Sequence, residues 1–212
     1  MCFSASASFI TSGILFTIGI ACLQKAGSRS LRFFACMPLF FALQQAAEGM
    51  VWFGLTNQYA ALASLGTALY LFFAYLFWPI WIPLSLFFNE KFLSRKKLLL
   101  SLIIIGICFD LLVLLLGCCS AGSEIVGNHL QYTIPGLDPY YVVLTTLYCT
   151  ATILPFFIAS HYLFWIFGMS LACALGISYW YYYTYVTSIW CFFAALLSML
   201  VLLIVYLYPD ND

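Results

Sequence analysis

The chain has 212 residues, seven Lys plus Arg against seven Asp plus Glu, 66% hydrophobic, 20% aromatic and only 7% charged residues. Soluble domains carry about 25% charged residues, so a water-exposed globular domain is excluded, and the neutral balance removes bulk charge as a route to nucleic acid. A mean hydropathy of +1.07 assigns the chain to the lipid bilayer, and with no Gly/Ser tract, charge block or Pro-rich stretch it reads as one transmembrane domain over residues 1–212.

A helix needs about 20 apolar residues to cross about 30 Å of hydrocarbon, and lipid admits only segments that satisfy their own backbone groups. The expected fold is therefore all-α, an integral membrane bundle of seven transmembrane helices. The spans are placed at Phe3 to Leu23, Leu31 to Leu55, Tyr59 to Phe88, Leu98 to Cys118, Tyr140 to Ile158, Tyr162 to Tyr182 and Ser188 to Tyr208. Met1 to Ile20 contains no Lys or Arg, so it lacks the basic start of a secretory leader and is read as a retained first helix. The third span is too long for a straight crossing, and Pro79 and Pro83 are expected to kink it or carry its end along the interface.

All basic residues fall in two connections, Lys25, Arg29 and Arg32 and then Lys91, Arg95, Lys96 and Lys97. Basic loops stay cytoplasmic. The two lie an even number of crossings apart, which puts the N-terminus outside and the Pro209 to Asp212 tail in the cytoplasm of a cell-membrane protein. Interfacial aromatics follow the same topology, with Trp52, Trp180 and Tyr181 to Tyr183 at outer ends and Trp78, Trp81, Tyr206 and Tyr208 at inner ends. Among the outer connections, Cys119 to Pro139 alone is long and polar enough to form a lid or site, through Glu124, His129, Tyr132 and Asp138. Small residues four apart, Ser4, Ser8 and Ser12 and then Gly168, Ala172 and Gly176, are expected packing seams.

An acid inside a span is costly unless it faces a partner or a cavity, which singles out Glu48. Gln44, Glu48 and Trp52 recur every fourth residue with Gln45 beside them, a polar stripe on the second helix. At about 1.5 Å per residue Glu48 stands roughly 25 Å above the inner face, and Asp110 on the fourth helix roughly 18 Å, near mid-membrane. The stripe is either a hydrogen-bonded brace or a functional site, and Asp110 either a satisfied structural acid or a proton or cation stepping point. Cys2, Glu48 and His129, with Glu124 and Asp138 nearby, offer ligands for zinc or copper without a recognised metal spacing. Most of the nine cysteines lie within spans as small apolar residues, while Cys2, Cys118 and Cys119 reach the outer face, where a disulfide from Cys2 to one of the pair is open. His161 follows Ser160 in a tight inner turn and is read as a surface histidine. With two histidines a three-His zinc hydrolase cannot be assembled. No lysine lies within a span for a retinal Schiff base, no Walker-type loop occurs, and no internal repeat marks an inverted-repeat transporter.

Met1-Cys2-Phe3-Ser4-Ala5-Ser6-Ala7-Ser8-Phe9, Gln44-Gln45-x-x-Glu48-Gly49-x-Val51-Trp52 and Ser188-Ile189-Trp190-Cys191-Phe192-Phe193-Ala194-Ala195 together resemble an uncharacterised family of small multi-pass membrane proteins. That family opens Met-Cys-Phe-Ser-Ala-Thr-Ala-Ser-Phe and carries Gln-Gln-x-x-Glu-Gly; Ser6 stands for the usual Thr. The resemblance implies no reaction, but it adds emphasis to Cys2, Ser4, Gln44, Gln45, Glu48, Trp52 and Trp190. The leading expectation is a membrane protein that binds a small molecule, metal ion or lipid headgroup in an outer pocket formed by Ser4, Gln44, Gln45, Glu48, Trp52 and Tyr132. The alternatives are a hydrolase-like intramembrane enzyme with Glu48 as general acid or base, or a proton- or cation-coupled carrier using Glu48 and Asp110.

Overall fold

A computed structural model describes residues 4–117, 121–181 and 183–208. Ser4 opens the first helix, α1 (Ala5–Lys25): its extended backbone and its Oγ, which accepts from Ala7 N at 3.2 Å, make an N-cap. Ser28 does the same for the short α2 (Arg29–Ala35), accepting from Leu31 N at 3.1 Å. The second expected span then continues as α3 (Met37–Thr56), with a step at Cys36 where Pro38 cannot extend a preceding helix. Antiparallel packing of α1 on α3 is set by Ser12 Oγ, which donates to Ala42 O at 2.7 Å, and by Gly49, where a Cβ would meet the Phe9 ring. The Ser8–Ser12 seam is thus real. Gly168 is likewise a close-packing point, against Phe156, whereas Gly176 has open space beside it.

The long third span runs unbroken as α4 (Ala60–Leu71), a π-helical segment (Phe72–Phe77) and α5 (Trp78–Asn89). Its irregularity precedes the prolines. Pro79 has no N–H for the Tyr75 carbonyl four residues back and its ring crowds that carbonyl, and the widened turn relieves both. Helix α6 (Leu93–Leu116) starts five residues ahead of the expected Leu98, because Arg95, Lys96 and Lys97 form its first turns instead of a loop.

The long polar connection expected to form a lid or site contains a β-hairpin, β1 (Gly122–Val126) paired antiparallel with β2 (His129–Thr133). Val126 opposes His129 across a two-residue turn whose first residue, Gly127, has φ +61°, the backbone such a turn demands at that position. The remaining helices are α7 (Tyr141–Thr152), α8 (Leu154–Ile158), α9 (Tyr162–Tyr181), α10 (Val186–Leu197) and α11 (Met199–Leu207).

Among the described residues six helical stretches are long and apolar enough to cross a membrane: Ala5–Lys25, Ala60–Asn89, Leu93–Leu116, Asp138–Ile158, Tyr162–Tyr181 and Val186–Leu207. Helix α3 matches them in length at 20 residues, but Gln44, Gln45 and Glu48 make it more polar, and it buries those groups inside the bundle. Large apolar side chains such as Ile10, Leu115 and Val142 cover the perimeter, as lipid requires. Two aromatics expected at the interfaces are core residues instead: Trp52 packs with Val51 and Leu130, and Trp78 is buried against Phe41. Trp180, Tyr181 and Tyr206 are exposed, as interfacial residues are.

The two ends of the bundle differ in chemistry. At the basic end Lys25 lies over the Tyr206 ring, Asn89 Nδ2 donates to Ser30 O and Arg95 donates to Ile158 O. At the opposite end the hairpin is seated on α3 and α4, with Leu130 against Val51 and Trp52, Tyr132 stacked on Tyr70 at 4.4 Å, and Thr67 Oγ1 2.6 Å from Ser123 Oγ.

Candidate functional site

Beneath the hairpin the polar residues of α3 divide between two neighbours. One residue advances about 100° around a helix, so Gln44 and Gln45 point apart, and eight residues drift about 80°. Gln44 and Glu48 face α5 and α10: Trp78 Nε1 donates to Gln44 Oε1 at 2.8 Å, and Ser188 Oγ donates to Glu48 Oε1 at 2.6 Å. Gln45 lies on the face that carries Ala42 and Gly49 toward α1, and both atoms of its amide lack a hydrogen-bond partner. Trp52 belongs to the cluster under Leu130. All three of Gln44, Gln45 and Glu48 are fully buried.

Beside the α10 turn that carries Ser188 lies a cavity of about 550 Å³, and the lining residue Cys191 adjoins Gln44. Its floor and walls come from Tyr75 on the π segment, Phe109 on α6, the α7 face Tyr141, Leu144, Thr145 and Tyr148, Leu175 and Tyr179 on α9, and Thr187, Trp190 and Cys191 on α10. The hairpin's exit strand roofs it with Gln131 to Ile134, and Asp138 stands at its rim. The wall on the Glu48 side is held by hydroxyls: Tyr70 donates to Thr187 O at 3.2 Å, and Tyr75 Oη lies 3.2 Å from Thr187 Oγ1. Trp190 is mostly buried, and its Nε1 has no partner.

Of the residues expected to bind, Tyr132 lines this cavity; Gln44, Gln45, Glu48, Trp52 and Ser4 do not. Ser4 caps α1 and its Oγ lies 3.1 Å from Ser6 Oγ. His129 stacks on Tyr185 at the hairpin turn, where burial holds its imidazole below the usual range. Cys2, Cys118 and Cys119 lie outside the described residues, and with them the Cys2 ligand and the disulfide. Among the described residues no group of three His, Cys, Asp or Glu is placed to hold a metal ion. Asp110 is buried on α6 with Oδ1 unpartnered, within electrostatic reach of Tyr148.

Tyr75, Tyr148 and Thr187, hydroxyl-bearing residues that line the cavity, were not singled out beforehand. Their signal was available as hydroxyls inside otherwise apolar spans, the same criterion that found Glu48. Tyr, though, is at home at interfaces and in cores, so the type discriminates weakly.

The fold and site define an all-α bundle of membrane-crossing dimensions with a tyrosine-lined cavity at its hairpin end. The chain belongs to DUF6629, a family of unknown function, which matches residues 1–210. Comparison with curated proteins and with solved structures finds no match.

Proposed function

We propose that this protein binds a small molecule in the cavity at its hairpin end, with that end on the outer side of the cell membrane. The cavity itself carries the reading: ligand sites are concave, mostly apolar, roughly 300–1,000 Å³ in volume and furnished with a few placed polar groups, and this one has about 550 Å³ and tyrosine, threonine and tryptophan donors. Glu48 then works behind the wall, bracing α10 through Ser188 next to the lining residue Cys191. Filling the cavity tests this. Cys149→Trp is expected to remove a small molecule that co-purifies with the wild-type protein in mild detergent, read by mass spectrometry of the extract, while the helical circular dichroism is unchanged. Absence of any saturable ligand, or binding indifferent to the filled cavity, overturns the proposal.

Asp110 supports a second reading, a proton-coupled carrier, because a buried acid with an unpartnered oxygen, next in sequence to the cavity-lining Phe109, suits proton uptake. Proton flux in proteoliposomes that survives Asp110→Asn excludes it.

A further inference from the structure

The helices around the cavity are joined at every junction but one. Helix α6 packs on the π segment and on α7, and α9 packs on α10. Tyr70 and Tyr75 bond α10 to the remaining wall. Helix α7 packs against α5, α6 and α8, and α9 against α8 and α10, but among the described residues any direct packing of α7 on α9 is slight. They are neighbours across the cavity all the same, because Tyr141, Thr145, Tyr148 and Cys149 line it from one and Leu175 and Tyr179 from the other. The gap runs along the hairpin half of both helices, roughly 12 Å at 1.5 Å per residue from Tyr141 to Cys149. Its outer lips are lipid-facing: Val142, Val143 and Ile177 are exposed apolar residues beside it.

We propose that the cavity fills sideways from the bilayer through the α7–α9 gap, and that its ligand is an uncharged membrane-dissolved amphiphile. A gap between spanning helices borders acyl chains instead of water, so a molecule already in the membrane reaches the cavity without crossing the hairpin roof. The headgroup is neutral because no Lys or Arg lines the cavity, and all seven basic residues lie in or beside the two connections at the other end. A phosphate or carboxylate would be desolvated there without a counter-charge. The lining acid Asp138 is exposed at the rim, where water solvates it, and calls for no cationic head. A hydroxyl or carbonyl oxygen suits the unpartnered Trp190 Nε1, while Phe109, Leu144 and Leu175 surround an apolar body.

This inference rests on the cavity being a binding site, and the test separates the two. In proteoliposomes, a diazirine-bearing long-chain alcohol is expected to label Tyr148, Cys149 and Trp190, with competition by unmodified hexadecanol. Thr145→Trp or Leu175→Trp, placed at the lips, is expected to cut that labelling about tenfold, whereas Ile14→Trp on the outward face of α1 leaves it unchanged. Should the lip variants fail to fold, Thr145→Leu and Leu175→Phe give a smaller block of the same sign. A diazirine-bearing alkyl phosphate is expected to label the same residues about tenfold less. Labelling that is confined to outward residues such as Ile14, is insensitive to the lips, or is equal for the phosphate overturns the lateral, neutral-ligand proposal. If a water-soluble diazirine-bearing benzyl alcohol still reaches Tyr148, the cavity reading survives that failure. If neither probe reaches it, both fall.

Discussion

Glu48 shows what a single buried acid can and cannot announce. Its charge-bearing side chain in an apolar run was enough to mark α3 as facing the bundle interior, and Gln44 and Glu48 are indeed fully buried. The partner was not legible, because Ser188 is 140 residues away and nothing local to α3 selects it. The pair ties α3 to α10 immediately behind the cavity wall at Thr187. Interhelical hydrogen bonds within membranes average about 0.6 kcal/mol and reach about 1.7. Ser188→Ala is therefore expected to lower thermal stability in detergent by about 1 kcal/mol and to loosen ligand binding only modestly. Glu48→Ala strands the Ser188 hydroxyl and leaves a void, so a larger loss is expected, with Glu48→Gln in between because an amide oxygen can still accept. An equal and complete loss of ligand binding in Glu48→Gln and Glu48→Ala, with unchanged melting, would make the carboxylate a binding group and end the brace interpretation.

At the level of elements, six of the expected spans were legible because an apolar run of helix-crossing length is a strong signal, with the α6 start, five residues early, the largest shift among their ends. The hairpin was not. Its strands are five residues each, and the Gly127–Asn128 turn was their one clear sign, since Gly before a second turn residue suits a two-residue hairpin. The π segment was also hidden, because Pro79 announces a disturbance but not its form. Its neighbour makes a sharp test. Gly106 of α6 lies directly against the Pro79 carbonyl, where a Cβ would collide with backbone that cannot swing aside. Gly106→Ala is expected to cost about 2–3 kcal/mol, as overpacking does, and to weaken retention in the cavity, whose wall includes Tyr75 from the π segment and Phe109 three residues on. Gly176→Ala, with nothing within 4 Å of its Cβ, is expected to be neutral or slightly stabilising. Comparable melting temperatures for the two variants would show that the α5–α6 contact is not tightly packed.

Over the whole molecule the two ends divide the work, the hairpin end open enough to hold a cavity and the basic end drawn together. The clasp at the basic end is Glu90. Its Oε1 accepts from Lys91 N and Phe92 N at 2.9 Å and from the Ser160 hydroxyl, and its Oε2 accepts from Ser160 N at 2.8 Å, binding the α5–α6 connection to the α8–α9 turn. Burial by itself would raise this carboxyl, but those hydrogen bonds outweigh it and hold Glu90 below its ordinary 4.5. A folded value depressed in this way gives stability that is present above 4.5 and lost as the pH falls through the folded value. His161, beside Ser160 in the same turn, is lowered from 6.5 by burial, so it begins to destabilise the fold at a higher pH, where the unfolded chain takes up its proton first. The acid limb of the melting curve should therefore have two parts. Glu90→Gln is expected to cost about 2 kcal/mol near neutral pH, since hydrogen bonds to a charged acceptor are the stronger kind. Its deficit against wild type should hold steady down to about pH 5, shrink below 4.5 as the unfolded chain takes up its proton, and be gone once the pH has fallen through the folded value. His161→Gln should flatten the upper part and leave the lower part intact. The hairpin-end cavity lies across the bundle from this clasp, so labelling at Tyr148 should be unchanged in Glu90→Gln at neutral pH. A deficit that persists unchanged to the lowest pH at which the protein stays folded would mean that the Glu90 charge is not what clasps the basic end.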